Sequence, residues 1–154
     1  MTELCLQKRY APNNACWGCG PANEEGLRLE SFARGDEVVA DWTPERKYEA
    51  FANVLCGGIC GSLLDCHMNW TAAWAIMRDR GLDHPPCTVT ADYHVKLRRP
   101  TPTDGPVHLV ARVVELAGER AVIEATLEAG GRVTASCRGT FVVAPEGHPA
   151  FGGW

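Results

Sequence analysis

One stretch limits the folds open to this chain more than any other. From Gly58 to Arg80 the sequence reads GICGSLLDCHMNWTAAWAIMRDR, without a proline, and it stops at Gly81, a residue suited to a helix C-terminal cap. Leu63, Leu64, Met68, Trp70, Trp74, Ile76 and Met77 do not keep to one face of a helix. A helix apolar nearly all round is buried on most sides. In a chain of 154 residues, the size of one domain, a sheet wrapped around the helix is what can bury it.

The rest of the chain supplies such a sheet. Leu27–Phe32 and Glu37–Trp42, broken by Arg34–Gly35–Asp36, read as a hairpin. Residues 43–56 read as loop. After the helix, Val89–Leu97 alternates between Pro85–Pro86 and Pro100. Val107–Leu116, Ala121–Leu127 and Arg132–Val143 follow at short spacing, joined by turns at Gly118 and Gly130–Gly131. The expected fold class is α+β, an antiparallel sheet around one long central helix. Residues 1–26 are expected as an irregular lead-in, 27–145 as the single domain, and 146–154 as a surface-docked or poorly ordered tail.

Charge and composition narrow the function. A net charge of −4 without a long Lys/Arg cluster argues against nucleic acid or an anionic membrane as partner. No apolar run is long enough to span a bilayer. The N-terminal residues MTELCLQKRYAPNNAC lack the apolar core of a secretion signal, so a cytoplasmic setting is expected. The eight cysteines are then expected as thiols. Only Cys16 and Cys19 have metal-ligand spacing. Cys5 is the candidate third ligand, no fourth is visible, and no metal is assigned.

Asp65 carries the sharpest chemical signal. It is the sole acidic residue from Phe51 to Met77 and lies in the middle of the apolar helix. A carboxylate there needs a hydrogen-bonding or chemical role, and an apolar pocket suits it to general-base work. Cys56–Gly57–Gly58 opens the helix, where unpaired N–H groups and the helix dipole favour an anion, so an N–H here can stabilise an oxyanion. Gly57 and Asp65 are eight positions apart, about 12 Å along one helix. One carbonyl cannot touch both. If both act, they come from two subunits, and the active site lies at a two-fold dimer interface.

Weaker signals surround these. Thr90 can orient a carboxylate or water, or serve only as a strand former. Lys96 and Arg98 fall on one face of their strand and Arg99 on the other, a group able to hold phosphates or to form a solvated edge. His67 is two positions from Asp65 and points elsewhere; it, His84, His94, His108 and His148 are read as structural or surface residues. Trp70 and Trp74 limit a pocket's depth or belong to the core.

Four stretches, Cys16–Leu27 (CWGCGPANEEGL), Cys56–Asp65 (CGGICGSLLD), Thr90–Pro100 (TADYHVKLRRP) and Gly139–Phe141 (GTF), together resemble the hotdog-fold thioesterases of the phenylacetate-pathway type. The likeness runs from about residue 16 to 143. It implies hydrolysis of a small or medium acyl- or aryl-CoA thioester without a metal or redox cofactor, in dimers that assemble further as dimers of dimers. Asp65 matches the carboxylate that acts as nucleophile or general base. Gly57 matches the partner's N–H on the thioester carbonyl, and Thr90 a hydroxyl position near the carboxylate. Cys56, Gly58, Asn53, Asn69, Lys96, Arg98 and Arg99 are the substrate-binding candidates.

The chain departs from the family pattern in two places. Cys56 stands where the family usually has His before Gly-Gly, and the upstream Asn or Gln is matched only by Asn53, which is shifted, with Ala50 at the usual spacing. Losing an orienting group of this kind slows catalysis about tenfold to a thousandfold. A thiol at a helix N-terminus is itself a candidate nucleophile; the plainer reading is a small inert replacement. The competing functions are a non-catalytic acyl-CoA or metabolite binder and, ranked last, a hydratase, which needs a histidine beside Asp65.

Overall fold

A computed structural model describes residues 2–154. The apolar run forms α2, Gly57–Arg80, one residue longer at its start than expected. It ends at Gly81, which adopts the left-handed conformation (φ 64°) and returns its N–H to the carbonyls of Arg78 and Met77. Glycine enters that region without the Cβ clash other residues suffer, which is why the helix stops there. Arg78 and Arg80 in the last turn complement the dipole. Leu63, Leu64, Met68 and Ile76 are fully buried although they point in different directions. Cutting any one to alanine would cost about 2–5 kcal/mol.

Six strands bury this helix. They are β1 (Phe32–Arg34), β2 (Glu37–Trp42), β5 (Thr88–Leu97), β6 (Val107–Ala117), β7 (Arg120–Ala129) and β8 (Arg132–Val143), in the antiparallel order β1-β2-β6-β7-β8-β5. Leu109, Ala111, Ile123, Leu127, Ala135 and Phe141 are buried against the helix side. Most of their intervening neighbours stay partly or fully exposed, the period-2 pattern of a sheet with one covered face, with Val122 and Thr134 the buried exceptions. The expected α+β hotdog architecture is what forms. No helix is long and apolar enough to cross a membrane among the described residues.

Three segments differ from expectation. The first strand begins at Phe32, because Arg28 takes a positive φ of 56° and Leu27 and Leu29 bond back to the carbonyls of Trp17 and Gly18. Residues 43–56 are not simple loop. A 3-10 turn (Arg46–Tyr48) leads into a small hairpin, β3 (Glu49–Phe51) and β4 (Val54–Leu55).

The third difference is the lead-in, which is part of the core. It contains a short helix, α1 (Leu6–Tyr10), and Leu6, Ala11 and Cys19 join the main hydrophobic cluster. A buried polar chain fastens it there. Gln7 donates to Ser31 Oγ at 3.0 Å and accepts from the Ser31 N–H at 2.9 Å; Ser31 Oγ meets His67 Nδ1 at 2.8 Å; His67 Nε2 reaches the Val38 carbonyl at 2.8 Å. The carbonyl can only accept, so Nε2 carries the proton and Nδ1 accepts from Ser31. Every member is satisfied. Burial lowers the His67 pKa to about 4.

Candidate active site

Asp65 projects from the middle of α2 toward β5, half-buried. Thr90 Oγ1 donates to Asp65 Oδ1 at 2.7 Å. Burial raises the Asp65 carboxyl above its usual range, the Thr90 bond opposes that rise, and nearby Cys16 adds to it.

The sheet itself aims Thr90. The register of β5 against β8 shifts between Thr90 and Asp92, a bulge that re-aims side chains next to it. Gly139 makes the bulge possible. A Cβ there would lie 3.0 Å from the Asp92 carbonyl oxygen, the Tyr93 Cβ and a Phe141 ring carbon. Asn69, one turn beyond Asp65, fixes the other side. Its Nδ2 donates to the Thr88 carbonyl at 3.1 Å and its Oδ1 accepts from Thr88 Oγ1 at 2.7 Å. Both groups of the Asn69 amide thus tie α2 to the strand that carries Thr90.

The helix start is open. Cys56 is the N-cap residue, its side chain forms no capping bond, and its N–H goes to the Tyr48 carbonyl at 2.9 Å. Gly57 and Gly58 supply the first helical N–H groups, and neither donates to another group among the described residues. A Cβ on Gly57 would come 2.7 Å from Leu97 Cδ1, so the strand end closes over this position. Gly58 lies beside the Cys56 thiol. Within one chain Gly57 and Asp65 stay about 12 Å apart along the helix.

The basic residues lie at the end of β5 and just past it, where the Arg98 and Arg99 N–H groups both donate to the Thr134 carbonyl. Lys96 and Arg98 lie on the sheet face opposite α2, in a groove of about 470 Å³ shared with His94, Arg112, Glu124 and Arg138. Arg98 is held there by Ser136 at 2.9 Å. Arg99 turns the other way, into a groove with Asn53, Val54, Pro102 and Arg132 beside the strand that leads into α2. The three therefore do not act as one cluster. Asn53 is the turn residue of the β3–β4 hairpin, with φ 65°, its N–H on Glu49 and its carbonyl on Thr103. Asparagine tolerates that conformation, which accounts for its place. Trp70 and Trp74 are buried; Trp154 of the tail stacks on Trp70 at 4.3 Å, and Arg78 covers Trp74.

The cysteines correct one expectation. Cys5 is not the third partner of Cys16 and Cys19; it caps α1 by accepting from the Lys8 N–H at 3.4 Å. The third thiol is Cys66, next to Asp65 on α2, with its sulfur 3.8 Å from that of Cys16. Sequence spacing could not reveal it, because fifty positions separate the pair.

A helix wrapped by a six-stranded antiparallel sheet is the hotdog framework, and here it carries a hydroxyl-bonded carboxylate at mid-helix and a glycine-rich helix start. The thioesterase superfamily model matches residues 52–136, more than half of the chain, and the chain belongs to that superfamily. Among solved structures it is similar to a thioesterase superfamily protein from Shewanella loihica, with 28% identity, a TM-score of 0.67, and coverage of 81% of this chain and 98% of that one. A Bacillus halodurans protein solved with CoA shares the fold at 24% identity, with 78% and 76% covered and a TM-score of 0.64. The E. coli PaaI protein from the phenylacetic acid degradation operon shares it at 14% identity, 77% and 81% covered, TM-score 0.65. No curated protein matches the chain.

Proposed function

We propose that the protein hydrolyses a small or medium acyl- or aryl-CoA thioester at a site shared by two copies of the chain. The observation that carries this reading is the Thr90–Asp65 hydrogen bond at mid-helix. In one protomer Asp65 activates water or attacks the thioester carbon, and Thr90 holds the carboxylate. The partner's helix start, through the Gly57 N–H, receives the oxyanion. The 12 Å between these groups on one helix requires the second copy. β5 supports pairing: it is an edge strand whose Tyr93 and Leu97 are exposed. An unpaired edge carrying apolar side chains is a natural surface for another chain. The dimers pair further as dimers of dimers.

The CoA found with the Bacillus halodurans relative supports CoA as the carrier. Arg99 and Arg132, in the groove leading to the helix start, are the candidates for its phosphates. Eight free thiols accord with a reducing cytoplasmic setting.

The test is turnover of a panel of acyl-CoAs by wild type and Asp65→Asn. Wild type is expected to hydrolyse at least one, with the variant folded but slower by about a hundredfold to ten-thousandfold. An Asp65→Asn variant with full activity would overturn the mechanism. Cys56 in place of the family's usual histidine favours one other reading, a non-catalytic acyl-CoA binder. Tight CoA-ester binding without turnover in wild type would select it.

A further inference from the structure

Where the loop CWGC meets α2, three sulfurs converge: Cys16, Cys19 and Cys66 all lie within 4.8 Å of one another. The arrangement is built from two sides. Cys66 is fixed by the helix. Cys16 and Cys19 are fixed by a tight turn, with the Gly20 N–H on the Cys16 carbonyl at 2.8 Å. The turn is strapped to the chain behind it, since Trp17 and Gly18 carbonyls accept from Leu27 at 2.8 Å and Leu29 at 3.2 Å.

Glycine at position 18 is required for this convergence. A Cβ there would sit 2.3 Å from the Cys66 sulfur. A Cβ on Gly20 would strike the Cys16 backbone nitrogen at 2.3 Å. The chain thus uses two glycines to bring a dithiol turn against a third thiol, and ordinary core packing of three small side chains does not demand that.

We propose that Cys16, Cys19 and Cys66 form a three-thiolate site for a thiophilic closed-shell cation, Zn(II) or Cu(I). A cation bound to thiolates at about 2.3 Å separates them by about 3.8 Å in tetrahedral or trigonal geometry. The Cys16–Cys66 pair already has that spacing, 3.8 Å. Binding replaces three S–H bonds by three S–metal bonds and releases three protons to water; no electron moves. With Zn(II), the fourth position is left to water, which reaches the site past exposed Cys16. With Cu(I), three sulfurs complete the shell. The cation staples residues 16–29 to α2, and its binding does not depend on thioester chemistry.

The experiment uses the full-length chain, reduced and freed of metal under anaerobic conditions. It is dialysed against Zn(II) or Cu(I), each buffered by a matched chelator, and bound metal is counted. Cobalt(II) serves as the optical probe. One equivalent per chain is expected, with thiolate-to-cobalt charge-transfer absorption and a raised Tm in the loaded protein. The cation retained against its chelator identifies which of the two the site takes. Cys66→Ser and Cys19→Ser are expected to weaken binding by more than about a hundredfold, and Cys5→Ser to leave it unchanged. Should a variant fail to fold, the wild-type stoichiometry and cobalt spectrum still decide. Absence of charge-transfer absorption in wild type, or equal loss in Cys5→Ser, would overturn the proposal.

Discussion

Thr90 and Asp65 are joined by a 2.7 Å hydrogen bond between an edge strand and the buried helix, at the point where the strand bulges. The hydroxyl donates and the carboxylate accepts, so the bond fixes one carboxylate oxygen and leaves the other for a water or thioester. Thr90→Val keeps the shape and removes the donor. A hydrogen bond to a charged group contributes about 1.5–3 kcal/mol. The expected result is a roughly tenfold to hundredfold loss of kcat on whichever acyl-CoA the wild type turns over, with Thr90→Ser near wild type. Circular dichroism and Tm should change little. Equal activity in Thr90→Val would remove Thr90 from the mechanism.

Gly57→Pro isolates the N–H without dismantling the helix. Proline suits the first helical position, and Cys56 before it has the extended ψ of 131° that a following proline needs. Only the Leu97 side chain stands in the way, and its end can move. Turnover should fall about a hundredfold to a thousandfold, as when one oxyanion donor is removed. Mixing Gly57→Pro with Asp65→Asn subunits should then restore about a quarter of wild-type activity. Half of randomly assembled dimers are mixed, and each holds one complete site. No recovery in verified mixed dimers would mean that the two groups do not meet across a two-fold interface.

His67 makes stability depend on pH. Its pKa is lowered to about 4 in the fold, against 6.5 for the free side chain. The groups around it are Ser31, the Val38 carbonyl and, beyond Ser31, Gln7, with His108 the other titratable group acting on it. The unfolded chain therefore takes up a proton first as pH falls. The contribution is fully present above about 6.5 and is lost as pH drops through that value toward 4. The full span is about 3 kcal/mol. Urea unfolding at pH 7.5, 6, 5 and 4, with chelator present to keep cation binding out of the measurement, should show the decline. His67→Gln should flatten it. A flat wild-type profile would contradict the assignment.

Trp154 stacks on Trp70 with rings 12° apart. Trp154→Ala should expose Trp70, shift tryptophan emission to longer wavelength and lower stability by about 0.5–1.5 kcal/mol beyond the lost burial. Unchanged emission would mean that the tail does not dock in solution.

The long helix and the antiparallel strands were legible in the sequence because burial leaves a periodic trace. Leu63, Leu64, Met68 and Ile76 point all round the helix, and the strands after Pro100 alternate. Gly81 marked the helix end through its left-handed backbone. Asp65 stood out by the same logic, as a lone carboxylate in an apolar run. These properties belong to single elements, and local order in the chain carries them.

What one element does to another carries no such trace. Thr90 faces Asp65 because a bulge shifts β5 and Gly139 makes room for it. Gln7, Ser31 and His67 close one network across positions far apart in sequence. Cys66 rather than Cys5 completes the thiol cluster because the helix's rotation and the depth of the CWGC turn bring its sulfur to Cys16. The amino-acid order determined which residues had to be buried and which one was chemically out of place. Only tertiary packing decided which side chains meet, since a contact between distant positions depends on the relative placement of two elements rather than on either one's local pattern.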